Sequence, residues 1–454
     1  MFNVPLVRSS VFKVLAVLGA TLALTLALSS CADDKKSGVT NNPVDTTGPQ
    51  LLDITKYSPA QTCAVCHPDQ VEQWQGSMHA YAAKDPVMAA INLAGQMAYV
   101  NAVDQGCVKC HSMLGSRAGL TPWGEYDVDN LPQVAQEGIG CDVCHMMESF
   151  NELQNGEINL TEEPIRYGTI RDPVPNAFHE SEFKPFYGRS EYCGTCHDID
   201  NGSGLMFEAT FTEWQNGGFT VTGKTCNDCH MPAYIGRATP TSPERVLHDH
   251  KFIGTDLAFI DFPGKPEQQQ LVQEMLQNSV TMTLNAPATV TPGADYSFSV
   301  DLLNDLTGHN VPSGATFLRE VWLQVVVTDA AGDTVYASGL LDANDDLKDD
   351  DSEFPERDDD LFNLQSTMLR ADSVKTWEPW VIAYLVDPTL RPGETRTANY
   401  TFTAPLGVTG PLQVDVALQY RTFPPHVLRG LDLGWMLPLP IMKMEEASQA
   451  VTVL

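Results

Sequence analysis

One short pattern occurs five times in this chain and limits what it can fold into: Cys63-Ala-Val-Cys66-His67, Cys107-Val-Lys-Cys110-His111, Cys141-Asp-Val-Cys144-His145, Cys193-Gly-Thr-Cys196-His197 and Cys226-Asn-Asp-Cys229-His230. The copies take ten of the eleven cysteines, and the eleventh, Cys31, lies in the N-terminal leader, so no thiols are left for a disulfide framework. Two thiols three positions apart, with an imidazole next in line, suit thioether attachment to the two vinyl groups of a haem and proximal ligation of its iron from a single turn of chain. A lone copy could equally be half a zinc site or a redox-active dithiol. Five copies, each followed by histidine, leave haem as the reading. The expected complement is five haem c, attached through Cys63, Cys66, Cys107, Cys110, Cys141, Cys144, Cys193, Cys196, Cys226 and Cys229, with His67, His111, His145, His197 and His230 as proximal ligands. No CxxCK variant occurs.

The motifs start at residues 63, 107, 141, 193 and 226, leaving gaps of only 44, 34, 52 and 33 residues. So little chain cannot bury each haem separately. Neighbouring porphyrins must supply much of one another's apolar surroundings, in a row close enough for electron hopping. The polypeptide between them is expected to form short helices and long loops.

Six further histidines remain for five sixth-ligand positions: His79, His179, His248, His250, His309 and His426. His79 ends the segment Trp74-Gln75-Gly76-Ser77-Met78-His79. That segment resembles the W-x-x-S-x-H element of the multihaem cytochrome superfamily that includes hydroxylamine oxidoreductase and its tetrahaem electron-carrier relative. The resemblance spans roughly residues 57 to 262, and it implies a distal role for His79. It also implies one for His179, which precedes the fourth motif, and for His250, within an H-x-F-x-G element. His309 lies in Gly308-His309-Asn310-Val311-Pro312-Ser313-Gly314, resembling the GHxxPxG loop of multihaem proteins with an appended β-domain, where the loop reaches back to cap a haem. His248 and His426 compete for the fifth place, with His248 favoured because it shares a loop with His250. Methionine is the other candidate ligand, from Met78, Met113, Met146 or Met231, although methionine more often fills apolar space. A partial echo at Phe211 to Gly217 lacks the histidine, which leaves Trp214 to pack against a porphyrin.

Beyond a helix expected at Glu267 to Gln277, the pattern turns to period-two alternation at Thr281–Leu284, Tyr296–Leu302, Thr397–Phe402 and Leu412–Leu418. Val321 to Thr328 reads as a more buried strand, followed by a hairpin turn at Asp329–Asp333. Strands at this spacing predict an immunoglobulin-like β-sandwich over 275–454, appended to a pentahaem cytochrome domain of short helices and loops over 57–262. Packed aspartates between 342 and 360 allow a calcium site, although their spacing is not that of a twelve-residue EF-hand loop, and a solvated acidic loop is the favoured reading.

Residues 1–30 read as an export signal: Arg8 and Lys13, an apolar run from Val14 to Leu28, then small residues. Leu28-Ser29-Ser30-Cys31 resembles a bacterial lipobox, which implies lipidation at Cys31, a flexible linker over 31–56 and anchoring to the outer membrane, on its periplasmic or cell-surface face. Ala32 in place of an aspartate gives no signal for inner-membrane retention. With 58 acidic against 27 basic residues, the net charge of −31 argues against nucleic acid as a partner. Other cytochromes or redox proteins are the expected partners, and electron transfer is the expected function, with no catalytic residue assigned. The rival is an oxidoreductase acting on a small nitrogen or sulfur compound, which requires one iron with an open position.

Overall fold

The computed structural model describes residues 51–98, 106–349 and 357–454. The leader, Cys31 and most of the linker lie outside these residues. No helix among the described residues is long and apolar enough to cross a membrane.

From Leu51 to about residue 262 the chain forms mostly single-turn helices and two-stranded ribbons. Four motifs begin or sit in such turns: Ala60–Cys63, Val108–His111, Cys141–His145 and Cys226–His230, while Ser190–Gly194 carries the start of the fourth. Isolated helices this short are unstable, because nucleation is costly and only a few hydrogen bonds follow it. Little side-chain core holds them. Two small separate clusters, one around Met113, Val143 and Met146 and one around Trp74 and Tyr81, are what the described residues provide. The exception in length is α1 (Pro86–Ala98), whose Val87 and Ile91, one turn apart, are buried.

The C-terminal region is mostly β-sheet. After α2 (Lys265–Leu276) come β1 (Thr281–Asn285), β2 (Thr289–Val290), β3 (Asp295–Leu303), β4 (Glu320–Thr328), β5 (Thr334–Ser338), β6 (Thr395–Thr403), β7 (Leu412–Arg421) and β8 (Met442–Val453). They make a five-stranded sheet in the order β2-β8-β7-β4-β5 and a three-stranded sheet in the order β6-β3-β1. Alternation works as expected: Tyr296, Phe298, Val300 and Leu302 of β3 point inward beside Ala398, Tyr400 and Phe402 of β6. These side chains share one continuous core with Val321, Leu323, Val325 and Val327 of β4 and Val414, Val416 and Leu418 of β7. β4 departs from strict alternation because its outer face is also covered. There Trp322 donates to the Gly339 carbonyl at 3.0 Å, and Arg421 makes a buried ion pair with Glu320 at 2.5 Å.

The two regions are welded together. Val87 and Ile91 of α1 share a cluster with Phe317, Leu318, Phe423 and Leu428. Leu257 and the α2 residues Val272 and Leu276 join the sheet core.

The acidic loop is largely spent on its own backbone and neighbours. Asp342 accepts from Asn344 and Asp346 N–H groups at 2.8 and 3.0 Å, Asp358 from Gly339 N–H at 2.6 Å, and Asp360 from the Tyr336 hydroxyl at 2.7 Å. Asp346 is paired with Arg429. Among the described residues no group of three or more His, Cys, Asp or Glu side chains is arranged to hold a metal ion, so the calcium reading draws no support there.

Candidate haem-binding sites

The local fold brings each motif's groups together. In the first, second and fourth motifs the histidine N–H donates to the carbonyl of the first cysteine, at 2.8, 2.9 and 3.0 Å for His67, His111 and His197. This one turn sets both thiols and the imidazole about a common point. The ring is then fixed from behind. Nδ1 lies 2.7 Å from the Ala238 carbonyl in His67, 2.8 Å from that of Tyr167 in His145, 2.6 Å from that of Ile253 in His230 and 3.3 Å from that of Ala82 in His111. A metal-bound histidine typically gives its second ring N–H to such an acceptor, which leaves Nε2 for the metal.

Four of the five motif histidines face a second histidine. His67 and His179 have ring centres 6.4 Å apart, His79 and His197 6.2 Å, His145 and His250 6.3 Å, and His230 and His309 6.2 Å. With a ligating nitrogen about 2 Å from a first-row metal and about 1.1 Å from its own ring centre, two imidazoles on opposite sides of one iron sit about 6.3 Å apart. Ordinary ring packing would scatter over roughly 4.5–7 Å and would not choose one motif histidine and one other each time. The residues fit haem, which supplies an electron-storing iron when bound.

Each distal histidine has its own support. Ser77 caps the turn Met78–Tyr81 that carries His79, and Trp74 donates its indole N–H to the Ile139 carbonyl at 2.9 Å. Ile139 N–H in turn donates to the His79 carbonyl at 3.0 Å, and a side chain at Gly138, where φ is +63°, would collide with that same carbonyl. Trp74 and Ser77 thus place His79 together. Phe252 lies edge-on to His79 at 4.5 Å and to His250 at 5.7 Å, an apolar wedge between two distal rings. The His309 loop is held by Glu213, whose carboxylate accepts from Asn310 N–H at 3.1 Å and from the Ser313 hydroxyl at 2.6 Å. Burial pushes the His79 imidazole down to about 3 and those of His250 and His309 to about 4, so all three are neutral, the form a metal takes.

For the fifth place no histidine pair is formed among the described residues. His248 ends the strand Glu244–His248 with Nδ1 2.8 Å from the Met231 carbonyl, and among the described residues it faces no motif histidine. The ribbon Ala233–Arg237 with Glu244–His248 fixes its direction: His248 pairs with Ala233 in register, while His250 two residues on turns to His145. His426 sits at the edge of the sheet region, its N–H donating to Asp346 at 3.0 Å. His111 is therefore left facing no second histidine among the described residues. Of the methionines considered, Met113 and Met146 are core residues, and Met78 lies 3.3 Å from the Gln268 amide. Trp214 stacks on Phe211 at 5.7 Å and donates its indole N–H to Lys224.

The motifs touch in a branched order and do not follow the chain as a simple row. The Cys63 and Cys141 thiols lie near enough to perturb one another's ionisation, as do those of Cys110 with Cys196 and Cys193 with Cys226. The Tyr192 hydroxyl donates to the Cys144 carbonyl at 3.0 Å. The first motif thus meets the third, the third the fourth, and the fourth both the second and the fifth.

The family model described as cytochrome c554 and c-prime matches residues 62–146, which hold the first three motifs. Among solved structures, the penta-heme cytochrome c552 from Thermochromatium tepidum covers 87% of this chain and 99% of that one, at 20% identity and a TM-score of 0.63. The fold is that of a multihaem c-type cytochrome. No curated protein matches the chain. The CARDB domain of the PF1109 protein from Pyrococcus furiosus (10% identity, 39% of this chain and 90% of that one, TM-score 0.18) and a β-glucosidase from Listeria innocua (13%, 38% and 16%, TM-score 0.16) overlap too loosely to inform this cytochrome fold.

Sequence reasoning missed part of the wall of the cavity that His111, His197, His230 and His309 share, among it Asp85, Met88, Asn92, Glu208, Asp256 and Arg319. They come from four separate stretches of chain and belong to no spaced motif. Only the i, i+4 relation of Met88 and Asn92 on α1 is visible in the sequence, and it reads there as ordinary helix core.

Proposed function

We propose that the chain carries five haem c, one on each motif, and moves electrons among them and on to other redox proteins. The four histidine pairs at 6.2–6.4 Å support this reading most strongly, because two imidazoles on one iron give the six-coordinate centre of a carrier. The thiol contacts between motifs add to it, since attached porphyrins would then meet edge to edge. The C-terminal sheets act as an immunoglobulin-like sandwich that braces the haem region and supplies His309. Export and lipidation at Cys31 hold the protein at the outer membrane. The test is a stopped-flow titration of fully reduced protein with an oxidised small c-type cytochrome. Five electrons per molecule should leave in fast phases, and a protein that releases fewer than five would contradict the proposal.

A second reading rests on His111. Since His111 faces no second histidine among the described residues, an iron there would have room for an added ligand, and this one centre would suit an oxidoreductase acting on a small nitrogen or sulfur compound, with the other four feeding it electrons.

A further inference from the structure

Of the five motifs, the third alone carries a buried charge between its two cysteines. Asp142, in Cys141-Asp142-Val143-Cys144-His145, is 2% exposed, whereas Lys109 of the second motif is half-buried and Asp228 of the fifth is exposed. Its partner is Arg166, on the strand Ile165–Gly168: Nε lies 2.7 Å from one carboxylate oxygen, and Nη2 donates to the other at 2.8 Å. Ser58 N–H, five residues ahead of the first motif, donates to the same carboxylate at 2.7 Å. A two-pronged pair of this kind fixes orientation as well as distance. Burying two charges costs solvation, which their attraction returns only when further hydrogen bonds complete both groups. Here Ser58 serves the carboxylate, and the Ile165 carbonyl accepts from Arg166 Nη1 at 3.1 Å.

The strand that Arg166 anchors also steers a ligand. Its next residue, Tyr167, sets its carbonyl 2.8 Å from His145 Nδ1. The strand runs parallel to Glu180–Phe183, with Arg166 opposite Ser181, and Ser181 Oγ lies 3.2 Å from Nδ1 of His179, the ring that faces His67. One ion pair therefore ties the third motif both to the strand that aims its own proximal histidine and to the chain leading into the first motif. Charge at this place also bears on the iron. A carboxylate left alone there opposes the negative charge that reduction adds, and a guanidinium left alone favours it. We propose that Asp142 and Arg166 are a positioning pair for the haem carried by Cys141, Cys144 and His145: they hold the Tyr167 carbonyl on His145 and, by balancing opposite charges beside it, set that haem's reduction potential. The inference rests on the first reading above, that five haems carry electrons.

The experiment is a spectroelectrochemical titration of the holoprotein at pH 8, where an unpaired carboxylate stays ionised, resolved into one-electron steps. Arg166→Gln leaves the carboxylate alone and should lower one of the five steps, whereas Asp142→Asn leaves the guanidinium alone and should raise one. Each shift should be at least tenfold in the oxidised-to-reduced ratio at a fixed potential, about 59 mV for one electron. The double variant should bring the step back towards its original position, as should Arg166→Lys, which restores the charge. Arg166→Met takes the place of Arg166→Gln should that protein fail to fold. Single variants that move a step in the same direction, as a loosened strand alone would, or that move no step, would overturn the proposal and leave the five-haem reading standing. Fewer than five steps in the unaltered protein would overturn that reading and the proposal with it.

Discussion

The two regions of this molecule reach a defined structure by different means. In the C-terminal region one apolar core runs through both sheets, and aromatic pairs such as Phe298 and Tyr400, 5.3 Å apart, fill it with side chains alone. In the haem region the side-chain clusters are small and separate, and the helices are mostly one turn long. The interior there is lined by histidines and cysteines. A chain so built depends on its cofactors for the apolar contact that the sheets obtain from leucine, valine and tyrosine.

The largest effect should therefore come from withholding haem. Replacement of all ten motif cysteines with alanine should leave the haem region open to limited proteolysis while the sheet region resists, as peptide mapping would show. Equal resistance in both regions would remove the distinction. Next in size are changes within the sheets. Leu323→Ala, at a fully buried position, should cost about 2–5 kcal/mol in denaturant unfolding with the haem absorption unchanged. Arg421→Met, which strips the partner from buried Glu320, should cost about 3–5 kcal/mol.

Smaller again is the loss of one axial ligand. His179→Ala should turn one low-spin haem high-spin, whereas His248→Ala and His426→Ala should leave the spin count as it was. The smallest effect concerns the seam between the regions. The folded carboxyls of Asp85 and Glu208 sit near 7, above their ordinary values. Their contribution to stability is full below about pH 4 and is lost as pH rises through about 7. Stability of the holoprotein measured from pH 5 to pH 8 should fall, and should fall less in the Asp85→Asn, Glu208→Gln double variant.

What could be read from the sequence follows the same division. Alternation located six of the strands to within three residues, because period two exposes one face and buries the other whatever the partner strand is, but Met442–Val453 was not read as a strand. The five motifs stand out in the sequence because thioether chemistry needs its residues in one turn. The histidines that face a motif histidine include two with a local frame in the sequence, as Trp74 and Ser77 accompany His79 and the glycine-rich loop accompanies His309. Proximity in sequence does not fix direction for His248 and His250: the first lies beside the Met231 carbonyl and the second faces His145. The cavity that His111, His197, His230 and His309 share left no trace, since Asp85, Glu208, Asp256 and Arg319 meet only through the docking of one region on the other.

The proposed function turns on five haems, four of them held between the histidine pairs His67–His179, His79–His197, His145–His250 and His230–His309. Quantitative electron paramagnetic resonance of the fully oxidised holoprotein counts them directly. Five irons per polypeptide, at least four of them low-spin, are expected; fewer than four low-spin centres, or fewer than five irons in all, would contradict it.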